Sequence, residues 1–271
     1  MSTLGALVRA THPIPALAVT ALVFSLAVFR GVPPETVAWI LASTAAGQAS
    51  VGWSNDYLDR FRDAAAGRGD KPIVAGAVSS RVVLAGAAVT LPLSVALSVP
   101  VGLAEAGTML AGVGSAWAYN LGVKGTAFSW APYAVSFGLV PVYVWTAAGT
   151  SVPGWLVAAG AVLGVAAHLV NVLPDFEADR AGSVWGLPHR LGPGKTVALA
   201  CGLLAAVLGL VLALGGPVTA GRAAVAGLGA GLIGGVGWAG AAGRYRLAFL
   251  VVIVAAGAVV LLLGLSEAGG T

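Results

Sequence analysis

The feature that most constrains this chain is its succession of apolar segments. A helix needs about 20 predominantly apolar residues to cross the hydrocarbon core of a bilayer, and nine such segments follow one another along the sequence. Only 9% of the residues are charged, whereas a soluble domain carries about 25%. The sequence therefore predicts an all-α polytopic membrane protein, a single domain over residues 1–271 whose nine transmembrane helices form a bundle around a central cavity. The predicted segments cover residues 13–31, 35–58, 79–100, 103–121, 128–149, 153–173, 195–215, 219–241 and 247–265.

The distribution of basic residues predicts the orientation of this bundle. If the N-terminus is cytoplasmic, twelve Lys and Arg residues fall on the inner side and only Arg30 and Arg222 fall outside. Because cytoplasmic loops carry an excess of such residues, we predict an N-in/C-out, multi-pass protein of the inner or plasma membrane. The same loops account for the net charge of +4, and no basic stretch is long enough to indicate nucleic-acid binding.

Five residues recur as identical residues 116 positions later in the chain. Each copy begins at the inner end of a predicted helix that runs inward, so the motif reaches the cytoplasmic face twice. Parallel repeats related by an axis along the membrane normal produce this pattern, and we predict two repeats, the first to fourth and the fifth to eighth helices, followed by the ninth. The recurring pairs are Asn55 and Asn171, Asp59 and Asp175, Asp63 and Asp179, Pro72 and Pro188, and Gly76 and Gly192.

The spacing of the polar pairs predicts a metal site. Residues four apart on an α-helix differ by roughly 40° around the axis, so each copy forms one stripe, and Asp56 could supplement the first. Carboxylates at membrane depth usually face a bundle interior or a wet cavity, and oxygen ligands without His or Cys suit Mg²⁺. We therefore predict Mg²⁺ ions that bridge a diphosphate between the stripes. The first acid cluster is Asn55, Asp59 and Asp63, and the second acid cluster is Asn171, Asp175 and Asp179.

Basic residues near both acid clusters could bind phosphate oxygens. The alternative is that they are ordinary basic residues of cytoplasmic loops. We favour a functional role for Lys71 and Lys124, and leave both interpretations open for the others. The set comprises Arg68 and Lys71 after the first cluster, Arg180, His189 and Arg190 after the second, and Lys124, with the phenol of Tyr119, at the inner end of the fourth predicted helix.

Several short motifs occur in the order found in one known family. The segment Asn55–Asp63 resembles the N-D-x-x-D-x-x-x-D motif of the UbiA superfamily of intramembrane prenyltransferases, and Asp175–Asp179 resembles its second motif, D-x-x-x-D. The stretch Lys71–Gly76 is similar to the family's R/K-P-x-x-x-G, and the segment from Arg9 to Pro13 is similar to its R-x-x-x-P start. Nine helices also match the family fold, so the resemblance covers nearly the whole chain.

The resemblance implies transfer of a prenyl group from a prenyl diphosphate to a lipophilic acceptor, with Mg²⁺ as cofactor. Lys71 and Lys124 would contact phosphate oxygens, with Arg9, Arg68 and Arg190 as further contacts. Two departures are present: Lys71 stands where Arg is common, and the spacing from Tyr119 to Lys124 is one residue longer than the family's Y-x-x-x-K. The residues that would hold Mg²⁺ and diphosphate are Asn55, Asp56, Asp59, Asp63, Asn171, Asp175 and Asp179, and the catalytic set would be Asp59, Asp63, Asp175, Asp179 and Lys124.

Other interpretations remain open from the sequence. A terpene cyclase of the same superfamily would ionise the same diphosphate without an acceptor, and a transporter of cations or phosphate esters could use the same paired stripes. His168 precedes the second acid cluster and is considered as an acceptor-site residue, although a structural role is the default for a lone histidine. Aromatic residues that could line the cavity, or simply pack, are Trp53, Trp117, Trp130, Tyr133, Phe137 and Trp145.

Overall fold

The computed structural model describes residues 2–268, and within this range every regular element is helical. Nine of the α-helices there have 17 or more residues, and they coincide with the nine predicted apolar segments. Three short helices, α1, α8 and α9, lie between or before them. The α-helices are α1 (Thr3–Ala10), α2 (Pro13–Phe29), α3 (Pro34–Ala65), α4 (Ser80–Ser98), α5 (Leu103–Leu121), α6 (Ala131–Ala147), α7 (Gly154–Val172), α8 (Phe176–Ala181), α9 (Leu187–Leu191), α10 (Pro193–Leu214), α11 (Ala220–Ala241) and α12 (Tyr245–Ala268).

By length and composition, five helices of the described chain are able to cross a membrane, or six if α1 and α2, which meet at a 64° bend, count as one crossing. Among the remaining long helices, α3 carries the first acid cluster, α5 carries Glu105 and Asn120, and α6 has only 17 residues. Length and composition therefore do not identify these polar or short helices as membrane-spanning. Nine crossings and the N-in/C-out orientation therefore stay predictions.

The long helices form a closed ring around one large cavity. Each helix packs against the next along the chain, and α12 packs back against α2. The cavity has a volume of about 920 Å³ and is lined mainly by α2, α3, α5, α6, α7 and α12. One apolar core lies between α7, α10, α11 and α12 and another between α2, α3, α6 and α12, so the cavity has packed helices on both sides.

Glycines let the cavity-lining helices approach closely. A Cβ at Gly160 would lie 2.6 Å from the carbonyl oxygen of Phe137, and one at Gly164 would overlap the backbone of Tyr133. Small residues at such crossings allow backbone contact between membrane helices. This contact presents Tyr133 and Phe137 of α6 to the cavity beside α7.

The second acid cluster does not lie on one continuous helix, contrary to the predicted second stripe. α7 ends at Val172, residues Leu173–Asp175 form a single 3₁₀ turn, and α8 begins at Phe176. Pro174 lies within the turn, and proline removes a helical hydrogen bond and clashes with the preceding turn. Asn171, Asp175 and Asp179 thus lie on three successive elements, the end of α7, the 3₁₀ turn and α8, although all three still line the cavity.

Candidate active site

The first acid cluster forms one wall at the polar end of the cavity. Asn55, Asp59 and Asp63 lie on the last turns of α3 and all line the cavity, as their spacing predicts. Asp59 and Asp63 are largely buried, each 8% exposed. Asn55 donates from Nδ2 to Asp59 Oδ2 at 3.1 Å and to Asn120 Oδ1 at 3.2 Å. The amide therefore fixes the rotamer of the Asp59 carboxylate.

The second acid cluster faces the first across the cavity, and two arginines connect them. The Arg62 guanidinium lies 2.7 Å from Asp59 Oδ2 and 3.8 Å from Asp179 Oδ1. The Arg68 guanidinium lies 3.1 Å from Asp175 Oδ1. Arg62 lies between Asp59 and Asp63, Arg68 follows the first cluster, and each contacts a carboxylate of the second. The two copies of the motif are thus brought together, as the sequence predicts.

Arg62 is a site residue that sequence reasoning missed. It lies three residues after Asp59, and side chains three apart on a helix are neighbours, so the signal was present in the spacing. Asn120 was missed as well. Its Nδ2 donates to Ser54 Oγ at 2.8 Å and to the Val51 carbonyl at 3.0 Å. It thereby connects α5 to the helix that carries the first acid cluster.

Lys124 reaches the site from the turn after α5. It lies in a single 3₁₀ turn, Val123–Gly125, and its ammonium donates to Asp59 Oδ1. Burial lowers the pKa of Lys124, while the Asp59 carboxylate opposes that effect. Asp59 therefore has a basic partner on each oxygen, Lys124 on one and Arg62 on the other. Lys124 is thus at the first acid cluster, and its predicted contact with phosphate oxygens stays a prediction.

An aromatic and imidazole group adjoins the second acid cluster. Tyr119 lies edge-on to Tyr133, with centroids 5.3 Å apart, and to His168, with centroids 5.6 Å apart. The Tyr133 hydroxyl accepts a hydrogen bond from Asn171 Nδ2 at 3.1 Å. His168 is fully buried, with Nε2 3.0 Å from Ser129 Oγ. All five side chains line the cavity.

His189 lies at the same end of the cavity. Its ring stacks on Phe176, with centroids 4.9 Å apart, and Nε2 is 3.8 Å from Asp179 Oδ2. Burial, and then the positive charge of Arg180, lowers the pKa of His189. Both effects therefore disfavour the charged form of the imidazole beside the second acid cluster.

The structure places three predicted site residues away from the cavity. Asp56 follows Asn55 and so points roughly 100° away from it on α3; its carboxylate, 2% exposed, contacts Lys71 and His12 instead. Arg190 is exposed and donates to the Trp185 carbonyl at 3.0 Å. Arg9 is exposed on α1. The structure gives none of the three a contact with either acid cluster.

The donor set fits a hard divalent cation that retains other ligands. Among the residues described, no three carboxylate, histidine or cysteine side chains converge closely enough to hold a metal ion by themselves. The acid clusters offer only carboxylate and amide oxygens, and Mg²⁺ typically takes one or two carboxylates together with water and substrate phosphates. The spread of carboxylates over two facing walls suits that mode of binding.

Beyond the polar end, the cavity is apolar. Aliphatic side chains of α2, α5, α6, α7 and α12 line it. Of the predicted aromatic wall residues, only Tyr133 and Phe137 line this cavity. Trp53 donates to the Leu7 carbonyl at 2.9 Å and Trp117 donates to Ser50 Oγ at 3.0 Å. These two indoles hold helices together, which was the alternative interpretation.

The chain resembles proteins of known structure and function. It is 31% identical over 182 residues to the bacteriochlorophyll synthase 33 kDa chain of Cereibacter sphaeroides, covering 62% of this chain and 60% of that relative. A UbiA homolog from Archaeoglobus fulgidus, bound to DMAPP and Mg²⁺, matches with a TM-score of 0.71 and 16% identity over 94% of this chain and 99% of that one. An apo UbiA homolog from Aeropyrum pernix K1 matches with a TM-score of 0.69 and 20% identity over 93% and 97%.

These matches agree with the fold and with the order of motifs. The structural matches extend over nearly the whole chain, and their sequence identities of 20% and 16% are evidence for the fold alone. The sequence model of the UbiA prenyltransferase family matches residues 16–250. That range includes both acid clusters, Lys71 and Lys124. The chain therefore belongs to the UbiA prenyltransferase family.

Proposed function

We propose that this protein is a Mg²⁺-dependent intramembrane prenyltransferase that ionises a prenyl diphosphate and transfers the prenyl group to an aromatic or other lipophilic acceptor. One observation carries the proposal: two facing carboxylate clusters, joined by basic side chains, lie at the polar end of a large apolar cavity. The Archaeoglobus relative is bound to DMAPP and Mg²⁺ and the Cereibacter relative is a bacteriochlorophyll synthase, which supports a prenyl diphosphate as substrate.

The polar end would bind the metal and the diphosphate. Mg²⁺ bound there would neutralise the charge that grows on the leaving diphosphate. Lys124, Arg62 and Arg68 already contact Asp59, Asp179 and Asp175. Their N–H groups would turn toward phosphate oxygens, because charge-assisted hydrogen bonds to phosphate are the strong ones. The oxygen donors for Mg²⁺ would be Asn55, Asp59, Asp63, Asn171, Asp175 and Asp179.

The apolar body of the cavity would hold the prenyl chain. Excluding water there protects a reactive allylic cation from hydrolysis. The rings of Tyr119, Tyr133 and Phe137 lie where the polar end meets the apolar body, since Tyr133 also bonds Asn171. Aromatic faces stabilise positive charge by roughly 0.5–2 kcal/mol. They are the groups we assign to shielding the cation until the acceptor attacks.

The proposal also includes the orientation of the protein in the membrane. With nine crossings and an N-in/C-out topology, both acid clusters lie near the cytoplasmic face, where a water-soluble diphosphate can enter. The excess of basic residues on that side supports this. The parallel repeats would place each copy of the motif at equal depth, and the contact of Arg62 with Asp179 agrees with that arrangement.

The test is product analysis of purified protein in a membrane mimetic with Mg²⁺. Geranyl, farnesyl and geranylgeranyl diphosphate are offered with and without a pool of aromatic acceptors, and the organic extract is analysed by mass spectrometry. A prenylated acceptor with release of diphosphate supports the transferase. A cyclic product without acceptor would instead identify a cyclase, and absence of turnover with every diphosphate would overturn the enzyme proposal in favour of transport.

A further inference from the structure

A buried carboxylate outside the cavity connects three separate parts of the chain. Asp56 Oδ1 lies 2.7 Å from Lys71 Nζ and 2.9 Å from His12 Nε2. Asp56 belongs to α3, Lys71 to the segment after it, and His12 to the bend between α1 and α2. We call these three residues the Asp56 cluster. Lys71 and His12 line the cavity, whereas Asp56 does not.

The Asp56 cluster has two energetically unfavourable features, a strained backbone and an unpaired buried oxygen. His12 has φ 54°, in the left-handed region, and is one of two non-glycine residues of the described chain with positive φ. Asp56 Oδ2 is buried and has no hydrogen-bond partner. Strained backbone and unpaired buried polar atoms persist where surrounding structure enforces them, and they occur preferentially at functional sites. A purely structural ion pair does not need either feature.

The bend between α1 and α2 is fixed against α3 in a way that determines where His12 points. A Cβ at Gly52 would lie 2.6 Å from the Thr11 carbonyl oxygen, so the two backbones are in direct contact. The Trp53 indole donates to the Leu7 carbonyl at 2.9 Å. These contacts are made by consecutive residues of α3 and leave Asp56, about one turn further on, to fix His12 and Lys71.

We propose that Asp56 is a positioning residue that holds Lys71 and His12 at the rim of the cavity, where these two side chains bind an oxygen of the diphosphate. The inference rests on the proposed function and deepens it. It replaces the predicted role of Asp56 as a metal ligand, because both of its observed contacts are to cation-forming side chains. The Lys71 side chain is 13% exposed, and that of His12 is 37% exposed, so both can meet a ligand.

One substitution changes the affinity for pyrophosphate in opposite directions, depending on whether Asp56 acts by positioning or only through its charge. Asp56→Asn removes a negative charge close to the site, and by charge alone this should strengthen anion binding. If Asp56 acts by holding Lys71 and His12, the same change weakens binding of inorganic pyrophosphate with Mg²⁺ by about tenfold, the loss expected for one charge-assisted contact. Glu177→Gln, the same chemical change on an exposed carboxylate that does not line the cavity, is the matched control.

A double-mutant cycle tests whether Asp56 acts through Lys71. Residues that work as one unit show non-additive effects. In a Lys71→Met background, Asp56→Asn is expected to weaken pyrophosphate binding by much less than in the wild type. His12→Asn, which retains a residue that tolerates the left-handed region, is expected to weaken binding as well. Wild-type affinity in that variant would exclude His12 from the site.

The chain has only three lysines, Lys71, Lys124 and Lys195, which gives a readout that needs no turnover. Amine acylation followed by peptide mass spectrometry is expected to be slow at Lys71 in the wild type and faster in Asp56→Asn, with exposed Lys195 unchanged. Unchanged Lys71 acylation, or unchanged or tighter pyrophosphate binding in Asp56→Asn, overturns the inference. Because binding and acylation are measured without prenyl transfer, absence of product in the wild type would refute the proposed function alone.

Discussion

The two acid clusters contain the same residues in different surroundings, so equivalent substitutions should have different effects on stability. Asp59 has an 11% exposed side chain and contacts both Lys124 and Arg62. Asp175 has a 47% exposed side chain, and its one ion pair within the described part of the chain is with Arg68. Breaking a buried ion pair by removing one partner costs about 3–5 kcal/mol, whereas exposed pairs contribute about 0–1 kcal/mol.

We therefore expect Asp59→Asn to destabilise the protein by about 2–4 kcal/mol, the buried value reduced because Arg62 is partly exposed. Asp175→Asn should change stability by less than about 1 kcal/mol. Both variants should lose at least about a hundredfold in turnover of a prenyl diphosphate, as enzymes do when a group that stabilises developing charge is removed. The Asp175 variant would then lose activity but not stability, whereas the Asp59 variant would lose both.

The assay combines product formation with thermal unfolding in detergent, followed by tryptophan fluorescence, for which the chain has eight indoles. Glu177→Gln is the control and should match the wild type in both measurements. Full activity in Asp175→Asn would refute the assignment of the second acid cluster to the site. Equal unfolding midpoints for the two Asp variants would refute the claim that Asp59 stabilises the fold more than Asp175 does.

Three further outcomes are expected. Chelation of divalent metal should abolish turnover and added Mg²⁺ should restore it, because the clusters offer oxygen donors only; turnover that survives chelation would contradict this. Arg62→Ala should lower kcat/KM by about tenfold or more, while Arg60→Ala should not, since the Arg60 guanidinium lies over the Tyr57 ring and outside the cavity. Gly164→Val should force α6 from α7 and destabilise the protein by about 1–3 kcal/mol. Gly209→Ala, with no atom within 4 Å of an added Cβ, should not lower the unfolding midpoint, because Ala favours a helix over Gly.

Most of the helical organisation could be predicted because one physical quantity, the thickness of the hydrocarbon core, sets the length of each segment. The placement of Asn55, Asp59 and Asp63 on one face follows from helical periodicity. The same periodicity turns Asp56 away from that face, toward Lys71 and His12. Pro174 also carries a readable signal, since proline interrupts a helix, yet the fixed offset between the repeats favoured a second unbroken stripe.

The remaining features depend on tertiary contacts that no local pattern encodes. Lys71 lies in a segment without regular helix, and its approach to Asp56 depends on how that segment folds back over α3. The approach of Thr11 to Gly52 likewise fixes His12 only once α1 and α3 pack together. Sequence spacing could indicate which residues share a helix face, but not which basic side chain would contact each carboxylate.

Under the proposed function, those contacts would let the acid clusters and the basic residues act as one site. Asp59, Asp179 and Asp175 are each within 4 Å of a lysine or arginine, so the polar end is close to charge balance as it stands. A cation alone would meet the basic side chains, and a diphosphate alone would meet the carboxylates. A metal-bound diphosphate provides partners for both sets, since carboxylates bind the metal and the basic groups bind phosphate oxygens. In the proposed function, this mixture of carboxylates and basic groups at the polar end would therefore favour the complex over either component.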